Sequence, residues 1–387
     1  MTVSLPPIDT ERLIADRRDF HAHPELAYEE HRTAGIVAER LETLGYDVRT
    51  GVGRTGVVGT RGNAAGRCVL LRADMDALPV EEANEVPYRS RAAGKMHACG
   101  HDGHIAVGLE VATRLAAVDL PGTVRFAFQP AEEGGNGAGA MIEDGVMDAP
   151  PVDAAFGMHL WSYLPAGTIG ITSGPIFSSA DAFEITIHGR GGHAAIPQHA
   201  VDPIIVAAHV VTAMQTLVSR RRDPLEAAVV SVTSVQAGEA FNVIPETARL
   251  LGTVRTYGGA IHADMPTLMT DLVTHTAQAF GATATVEYRR LLPVTTNDPA
   301  MTALMADIAE DLVGTDAVRR DVRTLASEDM GLFLNHAPGC YALVGSGNPA
   351  KKTDQPHHSP NFNIDEDVLP LAVELLSRTA ATYLEGG

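Results

Sequence analysis

The stretch Met96-His97-Ala98-Cys99-Gly100-His101-Asp102 sets a thiol and an imidazole two residues apart around one glycine. Both groups suit zinc-like ions, although such a pair alone is a weak signal. Further ligand types strengthen it. Glu132 and Glu133 follow the apolar run at 124–128, His159 follows the apolar run at 154–158, and His358 stands near the C-terminus. Adjacent residues on an extended stretch point in opposite directions. One of the two glutamates can therefore hold a metal while the other faces a water. A bound ion lowers the pKa of that water, and a nearby carboxylate can take its proton. This set is suited to hydrolysing an amide.

Other candidates carry less. Asp74 and Asp76 sit two apart after a buried run, and either one binds metal directly or both orient ligands. His97 and His104 have no second ligand at convincing spacing and read as structural, as do His21 and His23 in the first helical region. The glycine-rich stretch 134–139 lacks the Gly-Lys-Ser/Thr ending of a phosphate loop.

The elements that must hold these residues alternate between helix and strand. Helical periodicity runs from about Thr10 to Leu44 and stops at Gly45. Residues 67–72, 123–128 and 153–158 are short, nearly all-apolar runs, as expected for strands buried on both faces. Each leads into polar residues, and open α/β sheets place their sites beyond the carboxyl ends of their strands. From 182 to 292 the rhythm changes: strand 183–188, helix 203–219, strands 227–235 and 247–255, helix 263–280, strand 283–290. That βαββαβ order is ferredoxin-like. After Pro293 the alternation resumes, with a strand at 340–344 and a helix at 365–383. The expected architecture is α/β with two domains. A doubly wound catalytic domain is built from 1–181 and 294–387, and a ferredoxin-like lid is inserted at 182–293. On that insert His193 sits in a glycine-rich turn, Asn242 precedes Val243-Ile244-Pro245, and Arg255 ends a strand. Such groups suit a substrate carbonyl and carboxylate.

Composition limits the partners. The chain has 387 residues, 45% apolar, with a formal net charge of −19. That charge argues against nucleic acid and anionic membranes, which reward clustered Lys and Arg. The one dense basic cluster, Arg220-Arg221-Arg222 before Asp223, reads as a solvated helix end. Anionic small molecules, which need only one local Arg, stay open. No secretory signal is visible at the start, and no apolar stretch is long enough to span a bilayer. Cys68, Cys99 and Cys340 make no disulfide framework, so a reducing cytoplasm is expected.

In order along the chain stand His-Ala-Cys-Gly-His-Asp (97–102), Gln-Pro-Ala-Glu-Glu-Gly (129–134), Gly-Met-His (157–159), Gly-Gly-His-Ala-Ala (191–195), Asn-Val-Ile-Pro (242–245) and His-Ser-Pro (358–360). Together they resemble the metal-dependent amidohydrolases that include hippurate hydrolase, N-acyl-amino-acid amidohydrolases and the plant indole-acetyl-amino-acid hydrolases. These are relatives of carboxypeptidase G and the aminoacylases. The resemblance implies hydrolysis of N-acyl amino acids at two divalent ions per subunit, Zn2+ or Mn2+, with Co2+ or Ni2+ as further options. It implies a lid that dimerises. Carried over, Cys99, His101, Glu133, His159 and His358 are metal ligands, with Cys99 shared between the ions, and Glu132 is the general base. His357 is left unassigned. His193 steadies the oxyanion, reaching the partner subunit's site, and Asn242 and Arg255 bind the substrate carboxylate. Two departures stand out. Many aminoacylase relatives carry His-x-Asp where this chain has Asp74-Met75-Asp76, so His101 takes over that ligand role. Gln198, beside His199, stands where the Cys-bearing branch often has a histidine. The same site would serve a metallo-carboxypeptidase or dipeptidase. A non-catalytic binding protein is disfavoured by the presence of Glu132.

Overall fold

The computed structural model describes residues 4–386. They form two compact units. The smaller comprises Phe177–Thr295 and Thr324–Glu328, and the larger takes the remaining described residues.

The larger unit is built on an eight-stranded mixed sheet. Its order is Asp47–Val52, Gly56–Gly62, Thr123–Gln129, Cys68–Asp74, Ala154–Pro165, Gly339–Gly347, Ile169–Gly170 and Val318–Arg319. The four consecutive strands from Thr123–Gln129 to Gly339–Gly347 run parallel. Every position of Cys68–Asp74 and of Thr123–Gln129 is buried, so these strands read as continuous apolar runs rather than alternating ones. The helices His101–Ala116 and Leu369–Glu385 pack on Cys68–Asp74 and on each other. Their apolar residues join one core with Leu71, Phe126, Phe128 and Phe156.

Register decides where the polar residues emerge. Asp74 lies opposite Gln129 in the parallel ladder. The chains that leave these strands, with Asp76 on one and Glu132 and Glu133 on the other, therefore start from one edge. Arg72 pairs with Gly157, and Leu343 with His159. Both strands extend past the apolar runs seen in the sequence, because Asp74 and Gln129 continue the ladder with polar side chains. The first helical region is two helices, Thr10–Ala22 and His31–Thr43. Pro24 cannot donate to a helix, and Tyr28 adopts a left-handed φ of 64°.

One buried cation organises the middle of this sheet. Arg72 Nη1 donates to Asp74 Oδ2 (2.5 Å) and to the Tyr341 hydroxyl (3.0 Å), Nη2 to Asp329 Oδ1 (2.9 Å), and Nε to Gln129 Oε1 (2.8 Å). Asp329 also accepts from Gln129 Nε2 and from the Ala138 N–H.

The smaller unit has a four-stranded antiparallel sheet in the order Ala228–Gln236, Thr247–Thr256, Ala180–His188, Thr283–Leu292. Helices Pro203–Ser219 and Gly259–Ala279 complete a βαββαβ chain order. Phe183, Ile185 and Ile187, spaced by two along one strand, share a core with Val206, Val210 and Met214 on one helix and Met265, Met269 and Val273 on the other. The unit starts earlier than residue 182 and takes in 324–328, since Ser178 Oγ donates to Leu325 O (2.8 Å) and Phe177 bridges Thr324. That short segment has no periodicity to betray it. No helix among the described residues is long and apolar enough to cross a membrane.

Arg72→Met leaves Asp74 and Asp329 buried without their shared cation. We expect a loss of about 3–5 kcal/mol in denaturant unfolding, the usual cost of removing one partner of a buried charge pair. A loss below about 1 kcal/mol would show that the two carboxylates are held by their other donors alone.

Candidate metal centre

Cys99 and His101 flank Gly100, whose φ of 96° caps the helix His101–Ala116. Glycine adopts that conformation without the steric penalty of a side chain, and the turn lets His101 open the helix directly after the thiol. Glu132 and Glu133 lie in the loop that follows Thr123–Gln129, and His159 lies within Ala154–Pro165. The His358 N–H donates to Ala98 O at 2.8 Å, which fixes the C-terminal histidines beside Cys99. Cys99 Sγ lies 3.5 Å from His159 Nε2 and 3.6 Å from His357 Nδ1. His358 Nε2 lies 3.1 Å from Glu133 Oε1. Ligand atoms of Cys99, Glu133 and His358 come within 4.8 Å of one another, as do those of His101, Glu132 and Glu133. All belong to the larger unit.

Hydrogen bonding sorts the histidines, because a neutral ring has one N–H and one lone pair. His101 Nδ1 faces Asp76 O (2.9 Å) and His159 Nδ1 faces Leu160 O (2.9 Å). A carbonyl accepts only, so both rings carry a proton on Nδ1, and Nε2 is the atom each can offer to an ion once it is free of a proton. His101 Nε2 is buried and makes no hydrogen bond. His104 is the reverse case. The Leu160 N–H donates to its Nε2 (3.0 Å), so its Nδ1–H turns to Asp74 Oδ1 (2.5 Å). Asp74 and His104 come within reach of His101 as a third group, but their polar atoms are already spent on Arg72, on each other and on Leu160.

Asp76 takes an orienting position. Its Oδ1 accepts the Glu132 N–H at 3.0 Å and its Oδ2 accepts the Glu133 N–H at 2.9 Å. Behind the loop, Asp102 accepts from Arg17 Nε (2.7 Å) and lies 2.8 Å from His21 Nδ1, and His21 Nε2 faces Glu82 (3.1 Å). His21 thus lies in a buried charge network, one position removed from His101. His97 is fully buried with neither ring nitrogen bonded, and burial pushes it down to about 4.

The charges around the site ask for a cation. Burial, then Glu133, Glu132 and Asp74, push the Cys99 thiol well above its ordinary range. Burial opposes a charged His101, but Asp74 foremost, with Asp76 and Glu133, outweighs it and pushes the ring up to about 10. Burial and the neighbouring His104 and His357 hold His159 well below its ordinary value, in the neutral form a metal needs. The donor set fits a divalent ion. A thiolate at ~2.3 Å and an imidazole at ~2.0–2.1 Å on one tetrahedral ion lie about 3.5 Å apart, and Cys99 Sγ and His159 Nε2 are 3.5 Å apart.

The smaller unit holds the other residues singled out in the sequence. His193 pairs with Val243 in a short two-stranded ribbon, and the Ala194 N–H donates to Asn242 O. His193 and Asn242 line one shallow cavity with Gly191, Gly192 and Pro245. The Ala195 N–H donates to His193 Nδ1 (3.1 Å), so Nε2 carries the ring proton. Arg255 is half-buried on Thr247–Thr256, where its guanidinium donates to Thr253 Oγ1 and Val254 O. Gln198 and His199 form an exposed short helical turn. The residues that spacing did not reveal are His357, Arg72 and Asp102, and the sequence left the role of Asp76 open. Most of their partners lie 56 or more positions away in the chain, the exceptions being Asp74 for Arg72 and His101, 25 positions away, for Asp76.

Comparison with known proteins finds relatives along nearly the whole chain. The family model described as peptidase family M20/M25/M40 matches residues 70–382. A thermostable carboxypeptidase of Saccharolobus solfataricus is 40% identical over 366 residues, covering 93% of this chain and 92% of that protein. An N-acetylcysteine deacetylase of Bacillus subtilis is 38% identical over 382 residues, covering 97% of each. The crystal structure of a dinuclear metal-binding M20 peptidase from Bacillus subtilis superposes with a TM-score of 0.85 at 35% identity, covering 97% of this chain and 98% of that one. This chain belongs to peptidase family M20/M25/M40, as a hydrolase of its metal-dependent amidohydrolase type.

Proposed function

We propose that the protein hydrolyses the amide bond of N-acyl amino acids, releasing a carboxylic acid and a free amino acid. The observation that carries this reading is the convergence of Cys99, His101, Glu133, His159 and His358 beside the carboxylate of Glu132. Those five residues would hold two divalent ions, as the dinuclear relative does. When bound, the ions supply Lewis acidity to the scissile carbonyl and acidify a water. The thiolate favours a soft or borderline ion such as Zn2+, with Mn2+, Co2+ and Ni2+ also within the range of the donor set.

In the proposed mechanism Glu132 takes the proton of the attacking water and returns it to the leaving amine. Asp76 keeps the Glu132 and Glu133 backbone in place, so the two carboxylates keep separate tasks. His193, reaching the site of the partner subunit, would donate a hydrogen bond from Nε2–H to the carbonyl oxygen as charge develops there, and Asn242 and Arg255 would take the substrate carboxylate. The smaller unit acts as a ferredoxin-like lid and dimer contact. A reducing cytoplasm would keep Cys99 as a ligand thiol.

A second reading, carboxypeptidase or dipeptidase, is favoured by the similarity to the Saccharolobus carboxypeptidase. The two substrate classes share a free carboxylate beside an acylated amine. They differ in what lies beyond the scissile carbonyl.

Four outcomes check the proposal. N-acetyl, N-benzoyl and long-chain acyl amino acids should release amino acid faster than free dipeptides do. A chelator should abolish that release and added zinc or manganese restore it, whereas faster cleavage of dipeptides would move the protein to the second reading. Glu132→Gln should bind metal as before and lose at least ~10²-fold in turnover, the usual contribution of a positioned acid–base group. Retained turnover in the metal-loaded variant would exclude Glu132 as the base. Asp76→Asn turns an amide NH2 toward one of two backbone donors. Metal affinity measured by chelator competition should fall about 10–100-fold, and an unchanged affinity would remove Asp76 from the positioning role.

A further inference from the structure

His357 stands closest to Cys99 of the residues the sequence left unassigned. It lies at 3.6 Å from the thiol through Nδ1 and within reach of His159 as a third ligand-type group. Geometry alone would make it a sixth ligand. Its other nitrogen decides against that. The Ser162 N–H points at His357 Nε2 at 3.2 Å. A backbone N–H can only donate, so Nε2 holds the lone pair and the ring proton sits on Nδ1, facing sulfur. A ring that ligated through Nδ1 would carry its proton on Nε2 and set two donors against each other.

Packing holds the ring in that orientation. His357 lies 4.5 Å from the Trp161 ring centroid, 4.8 Å from Phe362, 5.2 Å from His159 and 5.4 Å from Tyr163. The thiol it faces is in anionic company, with Glu133, Glu132 and Asp74 all opposing its ionisation. His159 offers sulfur a lone pair, which the protonated thiol can meet with its S–H and which an ion would take over once the thiolate forms. His357 is the neighbour that offers a proton.

We propose that His357 is a positioning residue that donates its Nδ1 hydrogen to the Cys99 thiolate and is not itself a metal ligand. This rests on Cys99 being a ligand, as argued above. The hydrogen bond would stabilise the thiolate against the surrounding carboxylates and draw electron density from sulfur. It would thereby tune the sulfur–metal bond.

Two near-isosteric substitutions separate the ring's two nitrogens. His357→Asn places a side-chain donor close to the position of Nδ1. His357→Gln places its amide near Nε2, where it meets Ser162 and leaves sulfur alone. Each full-length variant, with the unsubstituted protein and Cys99→Ser, is stripped of metal and titrated with cobalt(II). The thiolate-to-cobalt charge-transfer band is recorded, and affinity is measured by chelator competition. The expected result is that His357→Asn keeps the band position and the affinity. His357→Gln should bind about 10-fold more weakly and move the band to lower energy, because unshielded sulfur gives up its electron more readily. Equal behaviour of the two variants overturns the proposal, since packing alone would produce it. So does the loss of one nitrogen ligand from the cobalt spectrum of both, which would make His357 a ligand. Failure of the underlying assignment looks different: the unsubstituted protein would then show no thiolate band, and Cys99→Ser would bind cobalt equally well.

Discussion

The site depends on Asp76. Its two carboxylate oxygens accept the N–H groups of Glu132 and Glu133, and its own carbonyl accepts the Nδ1–H of His101. One residue therefore sets the loop that carries both glutamates and the tautomer of the histidine that faces them. Hydrogen bonds to a charged group are worth about 1.5–3 kcal/mol each, enough to hold a loop in which Ala131 adopts a left-handed φ of 53°. The parallel register makes this contact available. Because Asp74 sits opposite Gln129, Asp76, two positions beyond one strand end, meets Glu132 and Glu133, three and four positions beyond the other, without a long connection.

Beneath Asp76, polar groups pass the constraint inward. Arg72 balances Asp74 and Asp329, and Asp74 holds His104. His104 accepts from the backbone next to His159. Asp74 stays ionised, since Arg72, His101 and His104 together overcome the burial that opposes its charge. Each hydrogen bond in this series consumes a lone pair or a proton, and what remains unconsumed is informative. His159 Nε2 is left with a lone pair beside a thiol, and His101 Nε2 makes no hydrogen bond although carboxylates surround it. A buried set of acceptors with too few donors is costly unless a cation joins them. The left-handed φ of 65° at His358 belongs to the same economy: strained backbone of this kind persists where the surroundings over-determine it.

Much of this could be read from the sequence, and the limits have physical reasons. Continuous apolar runs located the strands at 67–72 and 123–128, because strands buried on both faces need no alternation. Their polar ends escaped the pattern, and these ends carry Asp74 and Gln129. The break at Pro24 divided a stretch whose periodicity alone looked unbroken. At the site, chemical type and spacing brought out Cys99, His101, Glu132, Glu133, His159 and His358. Periodicity cannot say which nitrogen of a histidine faces a carbonyl and which faces an N–H. The roles of His104 and His357 follow from the backbone at Leu160 and Ser162, 56 and 195 positions away. For the same reason Asp74 and Asp76 looked equivalent in sequence, and only their partners distinguish them.

A protein with a formal net charge of −19 and an acid-rich centre is a poor attractor for a carboxylate substrate. The proposed ions change that locally. Two divalent ions would offset the negative charge that the Cys99 thiolate and the two glutamates bring to the donor set. The loaded centre is then electron-poor toward an incoming amide oxygen, while the rest of the surface repels anions. In the proposed reading the substrate carboxylate falls to Arg255, whose half-buried guanidinium donates to Thr253 and a backbone carbonyl. This division of labour fits an N-acyl amino acid or a peptide C-terminus alike, since both place one carboxylate next to the scissile amide. Discrimination between them must then lie in the groups that meet the acyl side, where a free amine would bring positive charge toward the ions and an acetyl or benzoyl group would not. Repulsion from the same charge that activates the amide therefore favours the neutral acyl group, and this electrostatic bias is the physical basis for ranking acyl amino acids above free dipeptides.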